Sequence, residues 1–274
     1  MYLLERPIDP RAVSTSPWLD FVTPRPWAKV RLFCFPFAGA DASMFRKWPE
    51  NLPSSIEVLP VQLPGRGKRF LERPVRRLTI LKEQLYDGLA SLFDRPIVLF
   101  GHSMGALIAF ELARHIQALG KHELLCVVVS GCKAPQLRSQ SPKQGRKLIS
   151  QLPEDEFIAE LTMINGTPRE LLEDRAALQV FIPMIRADFE LLETAEYEAD
   201  SKLSCPLIAI CGTNDTQATP EAMSFWSALT SHSFHLNVIA GDHFFPLKCR
   251  KPFLRLLGDK IVRATDGNSR GGAI

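Results

Sequence analysis

The chain has 274 residues, of which 46% are apolar and 23% charged, enough for one large α/β domain with an insertion and a sizeable buried core. Its 33 basic and 30 acidic residues leave a formal charge of +3, so no global field favours nucleic acid or an anionic membrane surface. These figures exclude a disordered chain, a coiled coil and a disulfide-stapled miniprotein, and no apolar run reaches the ~18–20 residues of a membrane span.

Residues 1–28 read as an N-terminal extension. The opening MYLLERPIDPR breaks any apolar stretch with charge, which argues against a secretory signal, and Pro7, Pro10, Pro17, Pro24 and Pro26 prevent a long element. Trp18, Phe21 and Trp27 are the expected anchors of this segment on the body.

A repeating pattern follows. Val30–Phe35 reads as a strand, Asp41–Glu50 as a short helix and Ile56–Leu63 as a second strand. Leu78, Leu81, Leu85, Leu89 and Leu92 fall on one face of an amphipathic helix over Leu78–Phe93. Ile97–Phe100 is a buried strand that meets Gly101, and a helix runs from Ser103 to Leu119. Leu124–Ser130, Pro206–Cys211 and His235–Ile239 complete the strands, with helices over Pro220–Leu229 and Pro252–Arg263. Short apolar strands alternating with helices mean a mostly parallel central sheet covered on both faces.

The alternation fails between Ala134 and Ser201, where Lys147–Gln151, Glu154–Met163 and Arg175–Thr194 carry helical periodicity. That block is too long for a connection, so residues 135–202 are expected to be a helical lid inserted into a core of 29–134 and 203–265. Residues 266–274 are expected to form a flexible tail. Cys34, Cys126, Cys132, Cys205, Cys211 and Cys249 contain no CxxC pair and read as free thiols of a reducing cytoplasm.

Gly101-His102-Ser103-Met104-Gly105 fits G-x-S-x-G between a buried strand and an amphipathic helix. That context lifts a serine Oγ above the sheet, while small flanking residues let strand and helix approach it. The Met104 N–H, at the helix N-terminus, would face a developing oxyanion. A serine hydroxyl needs a base, and the base needs an orienting acid. Of the six histidines, His243 immediately follows the last strand, on the sheet edge where Ser103 lies. Asp215 follows the strand before it and is favoured over Asp242, which adjoins the base, and Asp188, which lies in the lid. The loop Phe35–Ser43 is placed to supply the second oxyanion donor, with Ala38 N–H the best candidate.

Other constellations fail. Gly65-Arg66-Gly67-Lys68 lacks the remaining positions of a phosphate loop, and no HExxH, EF-hand or G-x-G-x-x-G occurs, so neither a metal nor a cofactor is expected. The basic run Arg66, Lys68, Arg69, Arg73, Arg76 and Arg77 reads as a solvated face, or as an attractor for an acidic partner.

Phe35-Pro36-Phe37-Ala38-Gly39, Leu63-Pro64-Gly65-Arg66, the serine motif, Arg186-Ala187-Asp188-Phe189 and Gly241-Asp242-His243-Phe244-Phe245 together resemble the type II thioesterases of polyketide and non-ribosomal peptide synthesis. The chain is similar also to the medium-chain fatty-acid-releasing thioesterase. The resemblance implies an α/β-hydrolase fold and hydrolysis of acyl groups from the phosphopantetheine arm of an acyl or peptidyl carrier protein. It implies Ser103 as nucleophile, His243 as base, Asp215 as its partner, and Ala38 and Met104 as oxyanion donors. A monomer in the cytoplasm, with no nucleic-acid partner, is the matching expectation.

Two positions depart from the family pattern. Ala40 stands where a second glycine is usual, and Gly67 where a glutamate is common. Met163, Ile164, Leu171, Leu172, Phe181, Ile182, Met184 and Phe189 are the expected liners of an acyl pocket. The alternatives are an acyltransferase or a small-ester esterase using the same triad, or a non-catalytic binding module on a hydrolase fold.

Overall fold

The computed structural model describes residues 16–139, 148–164, 172–197 and 202–271. Residues 1–15 of the N-terminal extension, parts of the predicted lid, Leu171, and the last three residues of the tail lie outside them.

Six strands form one sheet: β1 (Val30–Phe35), β2 (Ile56–Pro60), β3 (Ile97–His102), β4 (Leu124–Ser130), β5 (Leu207–Gly212) and β6 (Phe234–Ile239). Their order is β2-β1-β3-β4-β5-β6, and every neighbouring pair is parallel. All six C-terminal ends therefore share one edge. β1, β2, β3 and β5 are buried throughout, which is why they read as continuous apolar runs. The exception within β1 is Arg31, which the register sets beside Glu57 of β2, with Arg31 Nε 2.8 Å from Glu57 Oε2.

Helices cover both faces. α1 (Leu78–Leu89) and α2 (Met104–Leu119) pack on one side, with Leu78, Leu81, Leu85 and Leu89 turned inward as the periodicity requires. The closing helix covers the opposite face through Phe253, Leu254, Leu257 and Ile261.

Between β4 and β5 come α3 (Pro135–Ser139), a 3-10 turn at Ile149–Gln151, α4 (Glu154–Ile164) and α5 (Arg175–Glu193). Phe157, Leu161, Leu178, Ile182, Met184 and Ile185 form a small core of their own there, separate from the two cores of the sheet. α6 (Pro220–Ser224) precedes β6, and α7 (Phe245–Lys248) and α8 (Arg250–Gly271) follow it.

Four local expectations change. Asp41–Glu50 forms two 3-10 turns, Ala42–Phe45 and Pro49–Asn51, since Pro49 lacks the N–H a continuous helix needs. β3 runs two residues past Phe100, because Gly101 and His102 pair with Val129 and Ser130. α8 continues to Gly271 rather than ending at Arg263, so residues 266–271, expected in a flexible tail, are helical. Its proline, Pro252, lies in the first turn, where the missing N–H costs nothing, none follows Arg263, and a helical glycine costs only about 1 kcal/mol. Trp27 does not anchor the N-terminal segment, since it is 88% exposed. Trp18 and Leu19 are buried, and Arg25 donates to the carbonyls of Leu52, Pro53 and Ile56.

Candidate active site

Ser103 sits between the last residue of β3 and the first of α2, with φ 53° and ψ −114°. A non-glycine residue at positive φ is strained by about 1–3 kcal/mol, and strain of this kind persists only where packing enforces it. The enforcement is visible. A Cβ on Gly101 would lie 1.9 Å from the Gly105 carbonyl oxygen, and one on Gly105 would lie 2.1 Å from that of Phe35. Strand, turn and helix thus cross at backbone contact, which only glycine at these two positions permits. The same crossing sets the start of α2 against the end of β1, where the Ala38 loop begins.

The loops after β5 and β6 are laced together. Asn214 N–H donates to the Gly241 carbonyl at 2.9 Å, and Gly241 N–H donates to Thr213 Oγ1 at 3.2 Å. Within this pair of loops His243 Nδ1 lies 2.8 Å from Asp215 Oδ2, and both side chains are buried. The other carboxylate oxygen of Asp215 accepts the N–H groups of Gln217 and Ala218, each at 2.9 Å. The acid is thereby oriented by its own loop before it meets the histidine. Asp242, adjacent to His243, is instead held by Lys248 at 2.5 Å, and that ammonium keeps its carboxyl below the usual range.

Aromatic packing joins these loops to the serine turn. The His243 ring centroid is 5.0 Å from that of His102, the residue before Ser103, and 5.1 Å from that of Phe244. Phe37, from the loop after β1, lies 6.0 Å from His102 and 5.4 Å from Phe244. His102 itself is turned into the protein, with Nδ1 3.0 Å from Ser130 Oγ. Burial, reinforced by the neighbouring His243, holds its pKa well below the usual histidine value.

The structure therefore brings Asp215 and His243 into contact and seats His243 beside the serine turn. Among the described residues no hydrogen bond links Ser103 Oγ to His243; in unliganded hydrolases this contact is often long and tightens on the substrate. Nor does any hydrogen bond among them engage the Ala38 or Met104 N–H, so both donors are free. The loop carrying Ala38 closes through an Ala40 N–H to Phe37 carbonyl bond of 3.0 Å, with Gly39 at φ +84°. Positive φ falls on Gly39 alone in this turn, so the Cβ of Ala40 is accommodated. At Gly67 (φ +50°) a Cβ would press to within 2.9 Å of the buried Gln62 side chain, so glycine is what this packing takes.

The expected solvated basic face is present in Lys68, Arg73, Arg76 and Arg77, which are exposed, but it does not include Arg66. Arg66 is buried against Asp188, Arg69 bonds Glu72 and lies over the Trp18 ring, Lys68 reaches the Leu19 carbonyl, and Arg76 and Arg77 share Glu190. Among the expected pocket liners, Ile182 and Met184 fill the small core between β4 and β5, whereas Met163 is 83% exposed and faces solvent. Arg66 and Asp188 are the pair the sequence did not foretell. Each was singled out in a separate motif, but nothing in either motif indicated the other as its partner.

A parallel sheet whose third strand delivers a strained serine into a helix, with an acid–histidine pair on two later strand ends, defines an α/β-hydrolase. The thioesterase-domain family model matches residues 30–261, and the chain belongs to the thioesterase family, whose reaction is thioester hydrolysis. It is 39% identical to the gramicidin S biosynthesis protein GrsT of Aneurinibacillus migulanus, over 80% of this chain and 83% of that one. It is 41% identical to a protein named linear gramicidin dehydrogenase LgrE of Brevibacillus parabrevis, over 85% and 88%. The dinucleotide fingerprint of dehydrogenases has no counterpart in this sequence, so that name does not transfer. The structure of BorB, a type II thioesterase from the borrelidin biosynthetic cluster, matches with a TM-score of 0.78 at 33% identity, covering 89% of this chain and 97% of that one.

Proposed function

We propose that this thioesterase removes acyl groups from the phosphopantetheine arm of acyl or peptidyl carrier proteins, by a Ser103–His243–Asp215 mechanism. The observation that carries the reading is the buried 2.8 Å contact between His243 and Asp215, seated beside a serine held at positive φ.

With Asp215 on Nδ1, the imidazole keeps Nε2 free to take the Ser103 proton. Ser103 Oγ attacks the thioester carbonyl carbon. The carbonyl oxygen becomes an oxyanion facing the Ala38 and Met104 N–H groups, each such donor being worth roughly 10²–10³ in rate. The C–S bond breaks, the thiol leaves with the proton held by His243, and an acyl-serine ester remains. Water then gives a proton to His243, adds to the ester carbon, and the collapse returns the proton to Ser103 and frees the acid. Asp215 stabilises the imidazolium in both halves.

The segment 135–202 serves as the lid over the acyl chain, with Phe181 and Phe189, partly buried against its small core, as apolar liners. A monomer is the state proposed, the mechanism calling on no residue of a second chain. The six free cysteines support a cytoplasmic location. The biosynthetic pathways named for GrsT and BorB support a carrier-bound substrate.

The test is intact-mass measurement of a panel of acyl-loaded carrier proteins incubated with wild type or Ser103→Ala. Loss of the acyl mass with wild type alone, and recovery of free acid, is the expected result. Equal loss with both proteins rejects the mechanism, and transfer of the acyl group to an added alcohol or amine would make the protein an acyltransferase.

A further inference from the structure

Asp188 lies in α5, within the segment between β4 and β5, yet its carboxylate reaches the loop after β1. Oδ2 accepts the Gly39 N–H at 2.8 Å and an Arg66 Nη1–H at 2.7 Å, while Oδ1 accepts Arg66 Nη2–H at 2.6 Å. Arg66 Nη1 also donates to the Ala40 carbonyl at 3.1 Å. The Arg66 carbonyl in turn accepts from Gln62 Nε2 at 2.9 Å, and Gln62 Oε1 accepts the Ala42 N–H at 3.2 Å. The stretch from Gly39 to Ala42 is thus gripped at an N–H, a carbonyl and a second N–H by groups from two other parts of the chain.

We propose that Asp188 and Arg66 are positioning residues for thioester hydrolysis, holding the turn that presents the Ala38 N–H to the oxyanion and making α5 an integral part of that site. The inference rests on the reading of Ala38 as an oxyanion donor. Neither side chain is placed at the reacting atoms; both act through the backbone of the turn.

Three considerations carry it. First, the Phe37–Ala40 turn has a single internal hydrogen bond, and Gly39 at φ +84° is the conformation a type II turn requires at its third position. Such a turn can rock or flip its central peptide unless something outside holds it, and the Asp188 carboxylate holds the N–H of that peptide. Second, the pair is buried on both sides, with Asp188 2% and Arg66 4% exposed. A buried ion pair contributes little net stability against apolar residues of similar size, whereas its bidentate geometry fixes direction. Third, the same helix holds its own surroundings from neighbouring positions. Arg186 donates to the Ser150 carbonyl at 2.9 Å and lies 4.1 Å from the Phe157 ring centroid, while Glu193 accepts the Ile149 N–H at 2.6 Å. Arg186 therefore faces α4 and the turn before it, and Asp188 faces the oxyanion loop. Withdrawing α5 would release both, so the hydrolytically competent state is the one with α5 seated.

The experiment uses the full chain with a soluble acyl-S-pantetheine substrate and an alkyl boronic acid that forms a tetrahedral adduct on Ser103. The variants are Arg66→Lys, which keeps the charge but loses the fork, and Arg66→Met/Asp188→Leu, which removes both charges and so leaves neither one buried alone. For the double variant kcat is expected to fall roughly 10- to 100-fold, with KM within about threefold and boronate affinity falling in parallel with kcat. Arg66→Lys should fall between the double variant and wild type on all three measures.

If the double variant keeps kcat within about threefold of wild type per folded molecule while Ser103→Ala is inactive, the inference is overturned and the triad reading survives. A loss confined to KM, or one accounted for by unfolded protein in circular dichroism, also overturns it. Full activity in Ser103→Ala would instead bring down the mechanism on which the inference rests.

Discussion

Asp215→Asn isolates the contact on which the proposed chemistry depends. In the wild type Oδ1 accepts two backbone N–H groups, from Gln217 and Ala218, and Oδ2 faces His243 Nδ1. Asparagine has one carbonyl oxygen and one amide nitrogen for the same two places. If its oxygen turned toward His243, two buried N–H groups would lose their acceptor, at about 1–3 kcal/mol each. The oxygen therefore stays with the loop, and the NH₂ faces the imidazole. Nδ1 must then accept, the ring proton moves to Nε2, and Nε2 can no longer take the proton of Ser103. We expect kcat to fall by ~10³–10⁴, equivalent to about 4–5.5 kcal/mol in barrier, with KM within about threefold. The substitution is isosteric, so the melting temperature should move little. Thiol release from acyl-S-pantetheine at saturating substrate measures the effect. A variant within about tenfold of wild type would refute the role given to Asp215.

Two further outcomes follow from the same geometry. Gly105→Ala places a Cβ 2.1 Å from the Phe35 carbonyl oxygen, so strand and helix must part by more than about 1 Å; activity should drop by roughly 10². Gly120→Ala, at φ +62° with nothing within 4 Å, should retain full kcat and cost about 1–2 kcal/mol. Equal kcat in the two variants would show that the close crossing does not set the serine. His102 stays neutral in the folded chain while an unfolded histidine takes up a proton below about pH 6.5. Stability should therefore be complete above that pH and decline as pH falls through it, by at most about 1.4 kcal/mol per pH unit from this group. Urea midpoints against pH should show a shallower decline in His102→Gln, and parallel curves for the two proteins would refute the assignment.

Much of the architecture could be read from apolar runs bounded by glycine and proline. β1 and β4 end where those runs end, because a parallel strand buried on both faces is apolar along nearly its whole length, with Arg31 and Ser130 the polar residues of these two. The meeting of Asp215 and His243 was legible for a topological reason: residues just past strand ends must gather on one edge of a parallel sheet. What stayed hidden depends on loop geometry. Trp27 looked like an anchor by type, but the anchoring contacts belong to Arg25, whose guanidinium finds the carbonyls of Leu52, Pro53 and Ile56. Met163 falls on a helix whose buried positions are Phe157 and Leu161, so its apolar character did not predict its burial. The Arg66–Asp188 pair spans 122 residues, and no local periodicity encodes a contact across that distance.

The two adjacent imidazoles also have a division of labour that sequence spacing does not reveal. His102 and His243 lie 5.0 Å apart, and a second positive charge at that range would oppose protonation of the base during acyl transfer. Burial prevents this by keeping His102 uncharged, with its ring tied through Nδ1 to Ser130. In the proposed mechanism the proton taken from Ser103 therefore meets one imidazole and one carboxylate, with no competing cation beside them. The histidine of the serine motif acts as neutral packing beside the turn, and the proposed mechanism requires that neutrality.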